Sequence, residues 1–126
     1  MGRVVLVVDD EPDVLLLCRL NLEQRGHEFL EAADGGKALE LARERQPDVI
    51  VLDLMLPGMS GYDVLEALQE DDDTSDIPIL VLTAKSLLAD RERSHGMGAS
   101  AFLTKPFLPI ELCEMVESLF VTESGS

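Results

Sequence analysis

The sequence has 126 residues, 25 of them acidic and 10 basic, so its formal net charge at pH 7 is −15. This length allows one domain with a full hydrophobic core and leaves no room for a second domain of ordinary size. The acidic balance argues against binding of nucleic acid or anionic lipid by the chain itself, because both require lysine and arginine. It suits a cation or a basic partner surface.

Two cysteines, Cys18 and Cys113, are too few to indicate a disulfide framework in a domain of this size. We expect both to be buried on helices as small hydrophobic residues. The apolar run at residues 4–8 is too short for a transmembrane helix, and Asp9 and Asp10 end it, unlike in a signal peptide. A reducing, cytoplasmic location is therefore expected.

Five short runs predict β-strands. Residues 3–8, 48–52 and 77–82 are continuously apolar and rich in β-branched residues, which is typical of parallel strands covered on both faces. Residues 27–32 and 100–104 are bounded by or mixed with polar residues, which favours the edges of the sheet.

Between these runs, apolar residues recur at helical spacing. Four amphipathic faces are predicted, and they consist of Val14, Leu15, Cys18 and Leu22, then Ala38, Leu41 and Ala42, then Val64, Leu65 and Leu68, and finally Leu112, Val116, Leu119 and Phe120. A fifth segment, residues 86–95, has only Leu87 and Leu88 as large apolar residues and predicts a marginal, exposed helix. His27 and His95 are predicted to lie on the surface.

Five strands alternating with five helices predict a doubly wound α/β fold with a parallel sheet. The two weaker strands belong at the edges, so the simplest strand order is 2-1-3-4-5. We expect this domain to cover residues 1–121 and residues 122–126 to form a disordered tail. In such a sheet, ligands bind at the carboxyl ends of strands one and three.

Polar residues stand at the predicted carboxyl ends of the strands. Strands one, three, four and five lead, in that order, into Asp9-Asp10-Glu11, Asp53, Thr83 and Lys105-Pro106. Taken singly, Asp10 and Thr83 are explained as helix caps and Lys105 as a surface charge. Taken together they form a cluster in which each carboxylate pair would cost about 4 kcal/mol at 4 Å and an effective dielectric of about 20. A bound divalent cation would relieve that repulsion.

The ligand types of this cluster indicate a hard cation. No histidine or cysteine is present in it, which argues against zinc, and Mg²⁺ typically takes one or two carboxylates and keeps several waters. A carboxylate can act as a nucleophile that forms an aspartyl-phosphate. Asp53, on a central strand, is the best candidate nucleophile, and Asp9 and Asp10 are the better metal ligands.

Four segments carry a resemblance to the response-regulator receiver domains of two-component signalling. They read Val8-Asp9-Asp10-Glu11-Pro12, Val51-Leu52-Asp53-Leu54-Met55-Leu56-Pro57-Gly58-Met59-Ser60-Gly61, Leu82-Thr83-Ala84-Lys85 and Phe102-Leu103-Thr104-Lys105-Pro106-Phe107. Each segment alone is weak evidence, but all four in this order and at these spacings are highly specific. The resemblance spans nearly the whole chain and implies a CheY-like fold.

The resemblance implies a role for each site residue. Asp53 would accept a phosphoryl group from a phosphohistidine on a sensor kinase or phosphotransfer protein. Asp9, Asp10, Asp53 and the backbone carbonyl of Met55 would hold Mg²⁺ or Mn²⁺. Lys105 would contact the phosphoryl group, and Thr83 and Phe102 would switch the face formed by helix four, strand five and helix five. The Lys105–Pro106 bond would be cis, and Met55 and Lys85 would tune loss of the phosphoryl group. Such a domain is not an enzyme in the ordinary sense, because it acts only on its own phosphorylation.

Three other functions are weighed against this one. A binding module that no longer uses phosphorylation would lack Asp53, the acidic pair, Thr83 or Lys105, and all of them are present. A flavodoxin-like cofactor binder needs a phosphate-cradling loop after strand one, where Asp-Asp-Glu-Pro would repel phosphate. A phosphatase of the haloacid-dehalogenase type needs a second aspartate at position 55, where this chain has Met55.

The output of the domain is less defined by the sequence. The predicted fifth helix carries Glu111, Glu114 and Glu117 and lacks the basic residues that a common class of DNA-binding regulators uses to dimerise, so we expect a monomer. A downstream protein target is expected, with no direct contact to nucleic acid or membrane. The chain is either a stand-alone receiver or part of a longer regulator or hybrid kinase.

Overall fold

The computed structural model describes residues 2–84 and 88–120. The elements in chain order are β1 (Val4–Val8), α1 (Pro12–Gln24), β2 (Glu28–Ala32), α2 (Gly35–Arg45), β3 (Val49–Asp53), α3 (Gly61–Glu70), β4 (Ile79–Thr83), α4 (Leu88–Gly96), β5 (Ala101–Thr104) and α5 (Pro109–Leu119). Lys85, Leu87 and the predicted tail at residues 122–126 lie outside the described residues.

The five strands form one parallel sheet in the order β2-β1-β3-β4-β5, which confirms the predicted fold and strand order. Strands β3 and β4 are buried along their whole length, whereas β5 is only half-buried and β2 is buried only at Ala32, its last residue. The difference between continuously apolar and mixed runs therefore separated the central strands from the edge strands correctly.

Two hydrophobic clusters cover the two faces of the sheet. One contains Leu6, Ile50 and Val81 together with buried residues of α2 and α3, and the other contains Val7 and Leu80 together with buried residues of α1 and α5. Alternate residues of each central strand enter opposite clusters, as the pleat requires. Cys18 and Cys113 are buried and free in the second cluster, as predicted.

Local sequence signals define the helix starts. Ser60 caps α3 through a reciprocal pair of hydrogen bonds with Asp63, and the side chain of Asp34 caps α2 by accepting from the backbone N–H of Lys37 at 2.9 Å. Proline occupies the first position of both α1 and α5, where its missing N–H costs nothing.

Two predictions at the opposite end of the sheet from the strand carboxyl ends need correction. His27 is not a surface residue: its side chain is 10% exposed and its Nε2 lies 2.9 Å from Glu117 Oε2. Phe120 does not belong to α5, which ends at Leu119; it follows the helix, and its ring packs edge-on against His27 at a centroid distance of 5.0 Å. Both corrections arise from a tertiary contact between the end of α5 and the turn before β2. No helix in the described part of the chain combines the length and apolar character needed to cross a bilayer.

Candidate functional site

Three aspartates meet at the carboxyl ends of β1 and β3. Asp9 and Asp10 directly follow β1, Asp53 is the last residue of β3, and the two strands are neighbours in register. One carboxylate oxygen from each of the three lies within 4.8 Å of the others. Asp9 and Asp53 are 0% and 2% exposed, whereas Asp10 is exposed. The structure thus brings together the acidic residues that the sequence placed at this edge.

Backbone hydrogen bonds orient the two buried carboxylates. Asp9 Oδ1 accepts from the N–H of Glu11 at 2.9 Å, and Asp53 Oδ1 accepts from the N–H of Met55 at 2.9 Å. Each contact spans two residues and closes an Asx turn, which holds the side chain in one orientation. The second oxygen of each carboxylate is left facing the site.

Lys105 brings its ammonium group into this cluster. Its Nζ lies 2.7 Å from Glu11 Oε1, 2.8 Å from Asp9 Oδ2 and 3.1 Å from Asp53 Oδ2. The backbone N–H of Lys105 donates to the carbonyl oxygen of Thr83 at 2.7 Å, which fixes the chain just after β5. The Lys105–Pro106 bond, expected to be cis, is cis.

The charges of the site shift one another's pKa values. Burial raises the pKa of Asp53 above its usual range; the N–H of Met55 opposes that shift and the neighbouring Asp9 adds to it. Burial alone would lower the pKa of Lys105, but its contacts with Asp9, Glu11 and Asp53 outweigh burial and raise it. The hydrogen bond from Lys105 lowers the pKa of Glu11. Among residues 2–84 and 88–120, the ammonium of Lys105 therefore faces several carboxylates, and these residues together leave the site with excess negative charge.

One buried oxygen tests whether these residues fit a metal ion. Asp9 Oδ2 is fully buried and has no assigned hydrogen bond within residues 2–84 and 88–120, although it forms an ion pair with the ammonium of Lys105 at 2.8 Å. Buried carboxylate oxygens are otherwise satisfied. All the donors are oxygens, which suits a hard divalent cation. Asp9, Asp10 and Asp53 therefore fit such a cation.

The remaining predicted residues line or border the same edge. Thr83 ends β4 and is 3% exposed, and the Met55 side chain is exposed at the mouth of a small concavity that Asp10, Asp53 and Lys105 also line. Phe102 lies on β5, partly buried against the hydrophobic core, with its ring centroid 6.4 Å from that of His95. Lys85 lies outside the described residues.

Glu11 is a site residue to which the sequence analysis assigned no role. Its side chain pairs with Lys105 across 94 positions of the chain. The available signal was a third acid directly after Asp9 and Asp10, at the position just before α1. That position also suits an ordinary helix-cap residue, so the pairing with Lys105 was not predictable from spacing.

Comparison with known proteins agrees with this geometry. The model of the response regulator receiver domain matches residues 5–117. RpaA of Synechocystis, a DNA-binding dual master transcriptional regulator, is 42% identical over 115 residues, which cover 91% of this chain and 48% of that protein. Protein PilH of Pseudomonas aeruginosa is 38% identical over 106 residues, covering 84% of this chain and 87% of PilH.

The chain spans about half the length of the first regulators it matches, RpaA and the PhoB protein of Pseudomonas aeruginosa, with coverage of 48% and 52%. The activities of those longer proteins are therefore not carried over with the shared domain.

Solved structures share the whole fold. Chemotaxis protein CheY4 of Vibrio cholerae has a TM-score of 0.89 at 30% identity, covering 94% of this chain and 99% of that one. The receiver domain of the sensor histidine kinase PA1611 of Pseudomonas aeruginosa, solved with a magnesium ion coordinated in its active-site cleft, has a TM-score of 0.86 at 29% identity and covers 95% of this chain and 98% of that one. The family model matches most of the chain, and the strand order, the three aspartates and Lys105 agree with it. This chain belongs to the response regulator receiver domain family.

Proposed function

We propose that the chain is a phosphoacceptor that takes a phosphoryl group onto Asp53 from a phosphohistidine of a sensor histidine kinase or phosphotransfer protein, in a reaction that depends on Mg²⁺ or Mn²⁺. The observation that carries the proposal is the position of Asp53. Its buried carboxylate lies within 4.8 Å of those of Asp9 and Asp10 and 3.1 Å from the ammonium of Lys105.

Asp53 supplies the nucleophile in this reaction. A carboxylate oxygen of Asp53 forms a bond to phosphorus while the phosphorus–nitrogen bond of the phosphohistidine breaks. The bonding electron pair leaves with the imidazole nitrogen, which then takes a proton from solvent. Asx-turn hydrogen bonding to Met55 holds the nucleophile in place, and Lys105 offsets charge on the phosphoryl oxygens. The chain acts only on its own phosphorylation state.

The acidic residues would hold the cation. Asp9, Asp10 and Asp53 would be side-chain ligands, with the backbone carbonyl of Met55 as a further ligand. Support comes from the buried Oδ2 of Asp9, which no hydrogen bond satisfies among the described residues. The cation, when bound, supplies positive charge against the phosphoryl oxygens. Met55 and Lys85, each two positions after a site residue, are the proposed tuners of phosphoryl loss.

The proposed output is a change in the face formed by α4, β5 and α5. Thr83 would move towards the phosphorylated Asp53, and Phe102 would turn inward into the space that Thr83 leaves. Two observations support this: Phe102 is only partly buried, and it lines an open groove with Thr104, Glu111 and Met115. An element with few buried contacts can shift at low cost.

A protein partner fits the surface beside the site. On α1, which begins directly after Glu11, Leu16 and Leu20 are 55% and 58% exposed, and Leu108, three residues after Lys105, is 62% exposed. Exposed leucines in this number favour a protein contact over a small soluble donor alone. The proposal includes a cytoplasmic location, a monomeric state and a protein target downstream, without contact of this chain to membrane or nucleic acid.

The test is incubation with acetyl phosphate and Mg²⁺ followed by intact-mass measurement. We expect a mass gain of one phosphoryl group, lost when EDTA replaces Mg²⁺ and absent in Asp53→Asn. Asp72→Asn is the matched control, because this exposed aspartate lies at the opposite end of the sheet and should leave the gain unchanged. An unmodified parent chain would disprove the proposal and favour a module that does not use phosphorylation. An equal gain in Asp53→Asn would disprove Asp53 as the phosphoacceptor.

A further inference from the structure

Glu11 occupies a helix-cap position but does not use its side chain as a cap. It is the N-cap residue of α1, with extended backbone angles and no side-chain capping hydrogen bond. Its backbone N–H is already taken by Asp9 Oδ1, and its carbonyl accepts from the N–H groups of Val14 and Leu15. The Glu11 carboxylate therefore does not cap α1, and it instead accepts a hydrogen bond from Lys105.

Among the described residues, three carboxylates pair with the ammonium of Lys105. Glu11 is the nearest at 2.7 Å, followed by Asp9 at 2.8 Å and Asp53 at 3.1 Å. Asp9 and Asp53 also belong to the cluster that fits a divalent cation, whereas Glu11 does not. The Glu11 side chain is 59% exposed, while those of Asp9 and Asp53 are 0% and 3% exposed. Glu11 thus differs from Asp9 and Asp53 in two respects: its side chain is exposed, and it lies outside the aspartate cluster.

A cation in the aspartate cluster and the ammonium of Lys105 share two carboxylates, those of Asp9 and Asp53. An ion held by Asp9 and Asp53 draws on the carboxylates that stabilise the ammonium in this structure, and the two positive charges repel each other. Glu11 lies outside the aspartate cluster, so it can still pair with Lys105 when a cation binds to Asp9 and Asp53. It keeps a counter-charge on Lys105 at the mouth of the site and so limits the repulsion that the cation meets.

We propose that Glu11 is a positioning residue that retains the ammonium of Lys105 when a divalent cation occupies the aspartate cluster. It raises cation affinity through Lys105 and not by direct ligation. This inference rests on the proposed function, because it assumes that Asp9, Asp10 and Asp53 hold Mg²⁺. It adds a role for a residue that neither binds the metal nor accepts the phosphoryl group.

The test is a double-mutant cycle on Mg²⁺ affinity, measured by isothermal titration calorimetry of the whole chain. Glu11→Gln should weaken Mg²⁺ binding by about two- to fivefold, the range expected for loss of one exposed ion pair. Lys105→Gln should strengthen Mg²⁺ binding, because it removes the competing ammonium. In the Lys105→Gln background, the added Glu11→Gln substitution should have no more effect than Glu40→Gln, which removes the same charge from the exposed surface of α2.

A shorter acid separates position from charge. Glu11→Asp keeps the negative charge but removes one methylene, so it cannot hold the 2.7 Å contact. We expect its Mg²⁺ affinity to fall with that of Glu11→Gln. Parent-like affinity in Glu11→Asp, or an equal loss from Glu11→Gln with and without Lys105, would overturn the inference and leave the proposed function standing. A parent chain that binds no Mg²⁺ would overturn both.

Discussion

The ammonium of Lys105 lies 3.1 Å from Asp53 Oδ2, although 52 residues separate the two in the chain. The contact exists because β3, β4 and β5 are consecutive parallel neighbours, so that the segment after β5 returns to the edge where β3 ends. Lys105 is also in contact with Asp9 and Glu11. In the part of the chain that the structure describes, the ammonium of Lys105 is therefore shared among three carboxylates, and this imbalance of charge affects the stability of the fold.

Asp53→Asn should stabilise the folded chain in cation-free buffer. Burial and the nearby Asp9 raise the pKa of Asp53, so its charged form is less stable in the folded state than in the unfolded chain. Lys105 keeps its contacts to Asp9 and Glu11 in this variant. We expect the free energy of unfolding to rise by about 1 kcal/mol at pH 7, measured by urea denaturation in EDTA.

The stability gained by Asp53→Asn should depend on pH. Because the pKa of Asp53 is higher in the folded state, the folded chain takes up a proton first as the pH falls, and the cost of the charged form disappears. The gain from Asp53→Asn should be largest near neutral pH and should shrink as the pH falls towards 3.8, the ordinary value. A variant less stable than the parent at pH 7, or a gain that does not change with pH, would contradict this explanation. Asp72→Asn serves as the control.

Gly61 should not tolerate a side chain. Its N–H donates to the carbonyl oxygen of Leu54 at 3.1 Å, and a Cβ there would collide with the backbone of Asp53 and Leu54. Gly61→Ala must therefore push the start of α3 away from the end of β3. We expect a loss of about 2–3 kcal/mol in the free energy of unfolding and weaker Mg²⁺ binding.

Gly36→Ala is the matched control for this substitution. Gly36 lies in the first turn of α2, and the nearest atom to its added Cβ is Asp34 Oδ1 at 3.5 Å, an ordinary contact. In a helix, replacing glycine by alanine gains about 0.5–1 kcal/mol. Urea denaturation of both variants should give changes of opposite sign, and equal losses would show that the collision at Gly61 is unimportant.

Glu117 should add to the free energy of unfolding at neutral pH, and this contribution should be lost in acid. It accepts two hydrogen bonds from Arg25, at 2.7 and 2.6 Å, and contacts His27 at 2.9 Å; the bonds from Arg25 lower its pKa to about 2. A lowered pKa means that the contribution is complete above the ordinary value of 4.5 and is lost as the pH falls from there through about 2.

Glu117→Gln tests that contribution. The pair is partly exposed to solvent, so we expect a cost of about 1 kcal/mol at pH 7. The difference from the parent should vanish as the pH falls through this range in a urea-denaturation series. Glu66→Gln, which removes a carboxylate from an exposed position of α3, is the control for loss of one surface charge. A cost that persists at the acid end would mean that the contact does not depend on the charge of Glu117.

Arg93 should restrain α4. Its guanidinium carbon lies 3.8 Å from the centre of the Tyr62 ring, so the cation stacks across from α4 to α3. We expect Arg93→Gln to speed backbone hydrogen exchange in α4, measured by mass spectrometry of peptides covering residues 88–96. Tyr62→Phe keeps the ring face and should retain most of the protection. Unchanged exchange in Arg93→Gln would show that this contact does not hold the helix.

Much of the fold was predictable because its signals are local. Three continuously apolar runs and two runs mixed with or bounded by polar residues predict the five strands, and this difference in polarity distinguishes β3 and β4 from β2 and β5. The short spacing between each run and the acid, hydroxyl or lysine that follows it places Asp9, Asp53, Thr83 and Lys105 at one edge. That convergence is a property of parallel strands and needs no knowledge of side-chain conformation.

The contacts of individual side chains were not predictable in the same way. His27, in the turn before β2, was expected on the surface, yet it contacts Glu117 of α5. The carboxylate of Glu11 pairs with the ammonium of Lys105, 94 positions away in the chain. Asp71, directly after α3, accepts a hydrogen bond from Arg43 of α2 at 2.7 Å. Each of these pairs joins two elements whose separation depends on how the helices pack on the sheet.

The sequence by itself determined which strands are buried, their order, and which chemical groups lie at the carboxyl ends of the strands. These features follow from the polarity of neighbouring residues and from the order of the elements along the chain. Tertiary structure alone decided which carboxylates contact Lys105, which oxygen of Asp9 lacks a hydrogen bond among the described residues, and which residue pairs with Glu117 near the end of α5. Those outcomes depend on distances of a few ångströms between side chains far apart in the chain, and packing sets such distances only after the whole sheet has assembled.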